Sequence, residues 1–119
     1  MTGLQICNMA AAFLYNSASV KTDEGRFSVH FLNRLIAETF GTENSMRESE
    51  GREPLASIPW IDGLEKTIDY HDELLRTAFV YGLAAHYWQE ELDTYQAERY
   101  TAMYINAVNE CKRGVWVTI

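Results

Sequence analysis

The feature that most constrains the fold is the segment from Leu74 to Leu92, which is apolar on nearly every side when it is drawn as a helix. The segment contains no proline and is too long for a single strand. A helix that is apolar all round is normally enclosed by the rest of its protein. Ala78, Gly82 and Ala85 place small residues along one side, which lets another backbone approach closely. The segment therefore predicts the central helix of a compact helical domain.

Three further helices are predicted from apolar residues at helical spacing. The first covers about 2–16 and opens with a capping-box pair, Thr2 and Gln5. The second covers about 26–40. The last covers about 93–113, with Asp93 as its expected N-cap. The expected fold class is therefore all-α, a compact four-helix domain.

A long irregular segment is expected between the second and the central helix, over about 41–68. Residues 41–53 are polar apart from Met46, so burial offers little to offset the entropy of ordering them, and they form either a long loop or a polar helical extension. Residues 54–68 contain both prolines and read as an extended segment over the helices, before Asp69 as the cap of the central helix. Long loops in compact domains are usually functional. The residues expected at a subunit or partner interface are Met46, Arg47, Arg52, Trp60 and Ile61.

The end of the chain is apolar and prone to β structure. Gly114 is the expected end of the last helix, and an extended tail follows it. An apolar tail either folds back onto its own domain or binds a neighbour. The expected organisation is a helical domain over 1–113 and an extended tail over 114–119.

Charge and composition exclude several classes of protein. The chain is 47% apolar and 23% charged, as is usual for a folded domain, and its net charge is −7 without a basic stripe. Non-specific binding to nucleic-acid phosphates is therefore not expected. No signal peptide is recognisable, and the longest apolar run is well short of the roughly 18 residues of a membrane span. Cys7 and Cys111 have no partners at metal spacing and are expected to be free, with a disulfide between them as the alternative. We expect a soluble protein of a reducing compartment.

No catalytic constellation is recognisable in the sequence. The three histidines are not spaced as metal-ligand pairs, and His86 has only Glu90 one helical turn away. Cys7 has no neighbouring base, and no glycine-rich phosphate loop occurs. We expect no catalytic residues, no metal, no cofactor and no enzymatic activity. The tyrosines of the last two helices are expected in helix packing and subunit contacts.

The order of these parts resembles the adaptor proteins of tailed bacteriophages, also called head–tail connector or head-completion proteins. The segments that carry the resemblance are LQICNMAAAFLYN, FLNRLIAETF, IPWI, YHDELLRTAFVYGLAAHYWQEE and AERYTAMYINAVNE. The family's leucine–asparagine helix matches residues 31–36. Its YxxxLxxxAxxYGLA pattern matches Tyr70, Leu74, Ala78, Tyr81, Gly82, Leu83 and Ala84, and its aromatic last helix matches Tyr95, Tyr100 and Tyr104.

The resemblance implies a structural component of the virion neck, made in the host cytoplasm. Such adaptors form a ring, commonly twelvefold, between the portal protein and the next neck or tail protein. The ring extends the channel through which DNA passes without sequence-specific binding. In several members a C-terminal extension contacts the portal, which in this chain implies a portal-binding role for Val115, Trp116, Val117, Thr118 and Ile119.

Two other functions fit the residues without the resemblance. One is an oligomeric helical accessory or regulatory protein. The other is a small metal- or ligand-binding bundle that uses His86, Glu90 and the tyrosines. A metal-binding bundle would bind stoichiometric metal and lose it in His86→Ala.

Deletion of residues 114–119 tests the role implied for the tail. The truncated chain should keep the circular-dichroism spectrum of a helical domain. It should no longer bind portal rings in a sedimentation assay, because the tail is expected to add a strand to the portal and to insert Trp116 into a pocket there. Attachment at the full-length level would contradict the role.

Overall fold

The computed structural model describes residues 1–13 and 22–117, with residues 22–27 and 114–117 described as backbone only. Its elements in that part of the chain are five helices and one isolated antiparallel bridge between Thr2 and Thr67. This confirms the all-α class. The helices are α1 (Gly3–Ala11), α2 (Thr22–Glu38), α3 (Phe40–Ser49), α4 (72–90) and α5 (Thr94–Val117).

Helix α4 is the central element, as its apolar sequence predicts. It runs through Asp72–Leu74, a π-helical turn at Leu75–Phe79 and the α-helical Val80–Glu90. It packs against α5, α1 and α2. Several of its side chains are completely buried: Leu74, Leu75, Ala78, Phe79, Leu83 and Ala84. Its N-cap is His71, and the expected cap at Asp69 is wrong.

Gly82 marks the closest approach along α4. A β-carbon built on Gly82 would lie 3.0 Å from Leu35 Cδ2 and 3.3 Å from Tyr104 Cδ1. The small-residue side of α4 therefore accommodates large side chains of α2 and α5. The prediction that another backbone approaches this side is wrong at Gly82, where the nearest atoms belong to the side chains of Leu35 and Tyr104.

Both predicted N-caps of α1 and α5 are confirmed. The Gln5 N–H donates to Thr2 Oγ1 at 3.2 Å, and the Thr2 N–H donates to Gln5 Oε1 at 2.8 Å. At α5 the Gln96 N–H donates to Asp93 Oδ1 at 3.0 Å. Helix α1 ends at Ala11, before the predicted end.

The prediction of an irregular segment over 41–68 is wrong for its first part, because α3 covers Phe40–Ser49. The polar helical extension is the alternative that the structure bears out, and it adds a helix to the predicted four. Met46 is buried, but so are Glu43 and Arg47, which are 0% and 7% exposed. Apolar content alone underestimated the burial in this segment, because two of its charged residues neutralise each other inside the protein.

Helix α3 ends in a Schellman motif, after which the irregular segment covers 50–71. Gly51 has a φ of +75°, its N–H donates to the Glu48 carbonyl at 3.1 Å, and the Arg52 N–H donates to the Arg47 carbonyl at 2.8 Å. Glycine adopts this left-handed conformation without steric cost.

The predicted helix end at Gly114 is wrong, because the backbone of α5 is helical through Val117. Extending an existing helix requires one more residue to be ordered for each added hydrogen bond, so a single glycine does not stop it. Thr118 and Ile119 lie outside the described residues, as do the side chains of 114–117. The extended conformation predicted for the tail is therefore also wrong for 115–117, whose backbone continues α5. The division of the chain after residue 113 and the portal-binding role remain predictions.

The structure also bears on the two cysteines and on the prediction of no membrane span. Cys7 is buried, Cys111 is half-buried, and both are free thiols. Within the described ranges, no helix combines the length and the apolar character that crossing a membrane requires.

Two valine substitutions test the packing at Gly82. Gly82→Val should lower the free energy of unfolding by about 1–3 kcal/mol, because its methyl groups would overlap Leu35. Gly41→Val is the matched control, since no neighbouring atom lies within 4 Å of a β-carbon at this exposed position of α3. Urea denaturation of the two variants measures the difference, and equal stabilities would contradict the close packing.

Candidate interaction surface

Two asparagines hold the irregular segment 50–71 against the helices. On α2, Asn33 Nδ2 donates to the Ile61 carbonyl at 2.9 Å and Asn33 Oδ1 accepts from the Ile61 N–H at 2.9 Å. On α3, Asn44 Nδ2 donates to the Leu55 carbonyl at 3.3 Å and Asn44 Oδ1 accepts from the Leu55 N–H at 2.7 Å. Each amide side chain thus bonds both backbone groups of one residue, as a neighbouring strand would.

The first turn of α1 holds the same segment from another side. The Gly3 N–H donates to the Lys66 carbonyl at 3.1 Å and the Leu4 N–H donates to the Leu64 carbonyl at 2.8 Å. The first N–H groups of a helix have no partner within the helix, so they are available for such bonds. The Ile68 N–H adds a bond to the Met1 carbonyl at 2.9 Å.

The end of the segment is held by a buried charge cluster around Glu43. Arg47 Nε donates to Glu43 Oε2 at 2.6 Å, and the His71 N–H donates to Glu43 Oε1 at 2.7 Å. Arg47 Nη2 also donates to the Asp69 carbonyl at 2.6 Å. A buried carboxylate is tolerated only with such partners. The cluster therefore joins α3 to the residues that lead into α4.

The His71 ring lies between two carboxylates. Nδ1 is 2.9 Å from both carboxylate oxygens of Glu43, and Nε2 is 2.5 Å from Glu50 Oε1. Only the protonated ring donates from both nitrogens. Desolvation by itself would lower the pKa of His71, but the hydrogen bonds to Glu43 and Glu50 outweigh it and raise that pKa. The hydrogen bond from His71 in turn lowers the pKa of Glu50.

The segment held in this way exposes a tryptophan. Trp60 is 61% exposed, although the next residue, Ile61, is only 6% exposed and is bonded to Asn33. The Trp60 N–H donates to the Ile58 carbonyl at 3.0 Å, which tightens the backbone just before the indole. A large aromatic side chain on an ordered backbone loses little entropy on binding, and tryptophan is enriched among the residues that dominate interfaces. We call Trp60 and the exposed residues near it in the segment, Pro54, Ala56, Ser57 and Asp62, the Trp60 surface.

The residues predicted for an interface fall into two groups. Trp60 and Arg52 are exposed, and Arg52 lies 3.5 Å from Glu50. Met46, Arg47 and Ile61 are buried in the chain. The Arg47 guanidinium is bonded to Glu43 and to the Asp69 carbonyl inside the chain. An interface role for Trp60 and Arg52 remains a prediction.

A second exposed apolar area lies at the α4–α5 turn and along α5. Leu92 is 89% exposed, Tyr95 is 75% exposed and Ile105 is 52% exposed. The opposite side of α5 packs inward through Tyr100 and Ala107, as its predicted stripe requires.

Of the residues that could serve metal binding or nucleophilic chemistry, Cys7 is buried in the core, His86 is half-buried and Glu90 is exposed. His86 stacks on Phe31 with ring centroids 4.4 Å apart, and its Nε2 lies 3.8 Å from Glu90 Oε1. Burial lowers the pKa of His86 and raises that of the Cys7 thiol. Within 1–13 and 22–117, no group of three or more His, Cys, Asp or Glu residues is arranged to hold a metal ion.

Sequence reasoning missed the residues that hold the segment. The sequence alone assigns neither Asn33 nor Glu43 nor His71 a role in holding the segment. Two signals were available: asparagine is unfavourable inside a helix unless its side chain has a specific partner, and Glu43 and Arg47 are spaced as an i, i+4 pair. Neither signal identifies the partner across the fold.

Comparison of the chain with protein-family models, with curated proteins and with solved structures found no match. The function proposed below therefore depends on the residues and contacts described here and on the resemblance described above.

The charge cluster predicts a pH dependence of stability with a defined sign. Because the folded-state pKa of His71 is raised above 6.5, its contribution is complete below that pH and is lost as the pH rises through the folded value. Because the pKa of Glu50 is lowered from 4.5, its contribution is present above that pH and is lost as the pH falls through the folded value. In His71→Gln, the loss of unfolding free energy relative to wild type should therefore be larger near pH 6 than near pH 9.

His86→Gln is the matched control for this measurement. Burial lowers the pKa of His86, so the difference in unfolding free energy between wild type and this variant should grow as the pH rises. Urea denaturation at both pH values checks the two trends. A His71→Gln difference that is the same at both pH values would contradict the charged ring.

Proposed function

We propose that the chain is a subunit of an adaptor ring in the neck of a tailed bacteriophage, between the portal protein and the next neck or tail protein. The observation that carries the proposal is the Trp60 surface, an exposed tryptophan on a segment fixed to two helices, to the chain's first residues and to a buried charge cluster. Such a surface suits repeated contact with identical neighbours.

The contacts among the residues of the resemblance support the proposal. Asn33, from the leucine–asparagine helix, binds the backbone of Ile61 in the IPWI segment. The Tyr70 hydroxyl, from the first position of the YxxxLxxxAxxYGLA pattern, donates to the Ile36 carbonyl at 2.7 Å. Gly82 of the same pattern receives Leu35. Asn33, Tyr70 and Gly82 thus each make a contact within the chain that explains their residue type.

The charge of the chain suits a channel for DNA. A net charge of −7 disfavours tight binding to phosphates, so DNA can slide through a ring of such subunits. In this proposal the subunits bind one another and the portal through exposed apolar side chains, and the acidic surface keeps the channel free of bound DNA.

Trp60→Ser tests the Trp60 surface. The variant should weaken subunit association on portal rings by at least about 30-fold, because truncation of a central aromatic anchor typically costs 2 kcal/mol or more. Negative-stain electron microscopy and mass photometry of the chain mixed with portal rings measure ring occupancy against concentration.

Glu48→Ser is the control, since Glu48 is exposed on α3, outside the Trp60 surface and among none of the residues predicted at an interface. Both variants should unfold within about 0.5 kcal/mol of wild type, as is usual for exposed positions. If the wild-type chain forms no ring with portal proteins, the adaptor proposal is wrong and an oligomeric accessory protein becomes the better reading. If rings form equally well with Trp60→Ser, the Trp60 surface is not the subunit contact.

A further inference from the structure

The turn between α4 and α5 contains a leucine in an unfavourable conformation. Leu92 has a φ of +60° and is 89% exposed. For a residue with a β-carbon, left-handed backbone is sterically unfavourable, because the β-carbon comes too close to the following carbonyl oxygen. Leu92 therefore stabilises this chain neither through its backbone nor through burial of its side chain.

The hydrogen bonds at this turn show which residue would be the stable choice. The Leu92 N–H donates to the Gln89 carbonyl at 3.0 Å and the Asp93 N–H donates to the Trp88 carbonyl at 3.0 Å. This is the Schellman motif that also ends α3, where Gly51 holds the left-handed position. Glycine is the usual residue at that position. The chain thus uses the same turn twice, once with glycine and once with a leucine that faces solvent.

Leu92 borders a shallow groove of about 760 Å³ that continues along α5. Ala97, Thr101, Ala102 and Ile105 form much of its lining, and Ile105 is 52% exposed. Leu92 and Ile105 supply the two large apolar side chains at its surface. The groove provides a strip suited to an apolar helix face, in the manner of helix-in-groove recognition.

The charges around the groove are mostly negative. Glu98 is part of the lining, and Glu90, Glu91 and Asp93 lie at the turn beside it. The nearby cation, Arg99, has its guanidinium 5.6 Å from the centre of the Tyr100 ring. An apolar strip with an acidic rim favours an occupant that is apolar on one side and carries lysine or arginine beside it. A second copy of this chain, with a net charge of −7, fits this rim poorly.

We propose that this groove docks a basic amphipathic helix of a partner protein, with Leu92 inserted between apolar side chains of that helix. The acidic residues at the turn and Glu98 contact its lysine or arginine side chains. The groove uses none of the residues of the Trp60 surface, so this docking site stands independently of the proposed function.

Two synthetic peptides test the groove. One carries leucine at helical spacing with lysine on its other positions, and the other carries glutamate in place of every lysine. Fluorescence anisotropy of the labelled peptides should show binding of the lysine peptide with a Kd in the micromolar range and at least 10-fold weaker binding of the glutamate peptide. Amide NMR shifts should change at the α4–α5 turn and along the exposed side of α5.

Leu92→Gly is the decisive variant, because it cannot lose binding through unfolding. Removing the left-handed strain should raise its Tm by about 2–6 °C, while binding of the lysine peptide should weaken at least 10-fold. Trp60→Ser changes an exposed residue outside the groove and should bind the peptide as the wild-type chain does. Leu92→Gly keeps every charge of the rim, so it separates apolar docking from attraction to an acidic surface.

Three results would overturn the proposal. Unchanged peptide binding by Leu92→Gly would show that only the acidic surface attracts the peptide. Equal binding of the glutamate peptide would remove the stated chemistry of the partner. Self-association of the wild-type chain that disappears in Leu92→Gly would make a second copy the occupant. Ring formation on portal proteins does not enter any of these results.

Discussion

The buried carboxylate of Glu43 is the interaction on which the arrangement of this protein most depends. It accepts hydrogen bonds from the Arg47 side chain and the His71 backbone, and it faces the His71 ring. Removal of one member of a buried ion pair typically costs about 3–5 kcal/mol, because the remaining charge has no partner. Glu43 and Arg47 lie on α3, and His71 is the N-cap of α4. Their bonds therefore fix where the irregular segment ends and where the central helix begins.

The segment 50–71 keeps its path because polar side chains replace the regular hydrogen bonds that it lacks. Asn33 and Asn44 satisfy the backbone of Ile61 and Leu55, and the first turn of α1 satisfies carbonyls further along. Buried backbone groups need such partners, so these contacts let an irregular segment lie on the helices with one isolated bridge, between Thr2 and Thr67, in place of a regular strand. The same contacts leave Trp60 exposed. The contacts that stabilise this segment therefore also position the Trp60 surface on which the proposed adaptor function depends.

The exposed leucine at the α4–α5 turn shows the opposite relation between stability and function. Gly51 and Leu92 occupy equivalent positions in two Schellman motifs, and only the glycine suits the backbone. At Leu92 the chain accepts strain and exposure in a region with an apolar groove and an acidic rim. Leu92 does not stabilise its own fold, and its proposed role is to bind a partner. Apolar periodicity alone would place the same side chain in the core.

The sequence by itself determined the helices that bury apolar stripes, the central position of α4, and the caps at Thr2 and Asp93. These follow from local periodicity and from hydrogen bonds between residues a few positions apart, so they can be read along the chain. The tertiary structure decided that 40–49 is helical, that Arg47 is buried, that Asn33 binds Ile61 and that α5 passes Gly114. The first three depend on partners more than ten positions away or on burial of a charged pair, and no local pattern specifies which distant group will neutralise a charge or satisfy an amide.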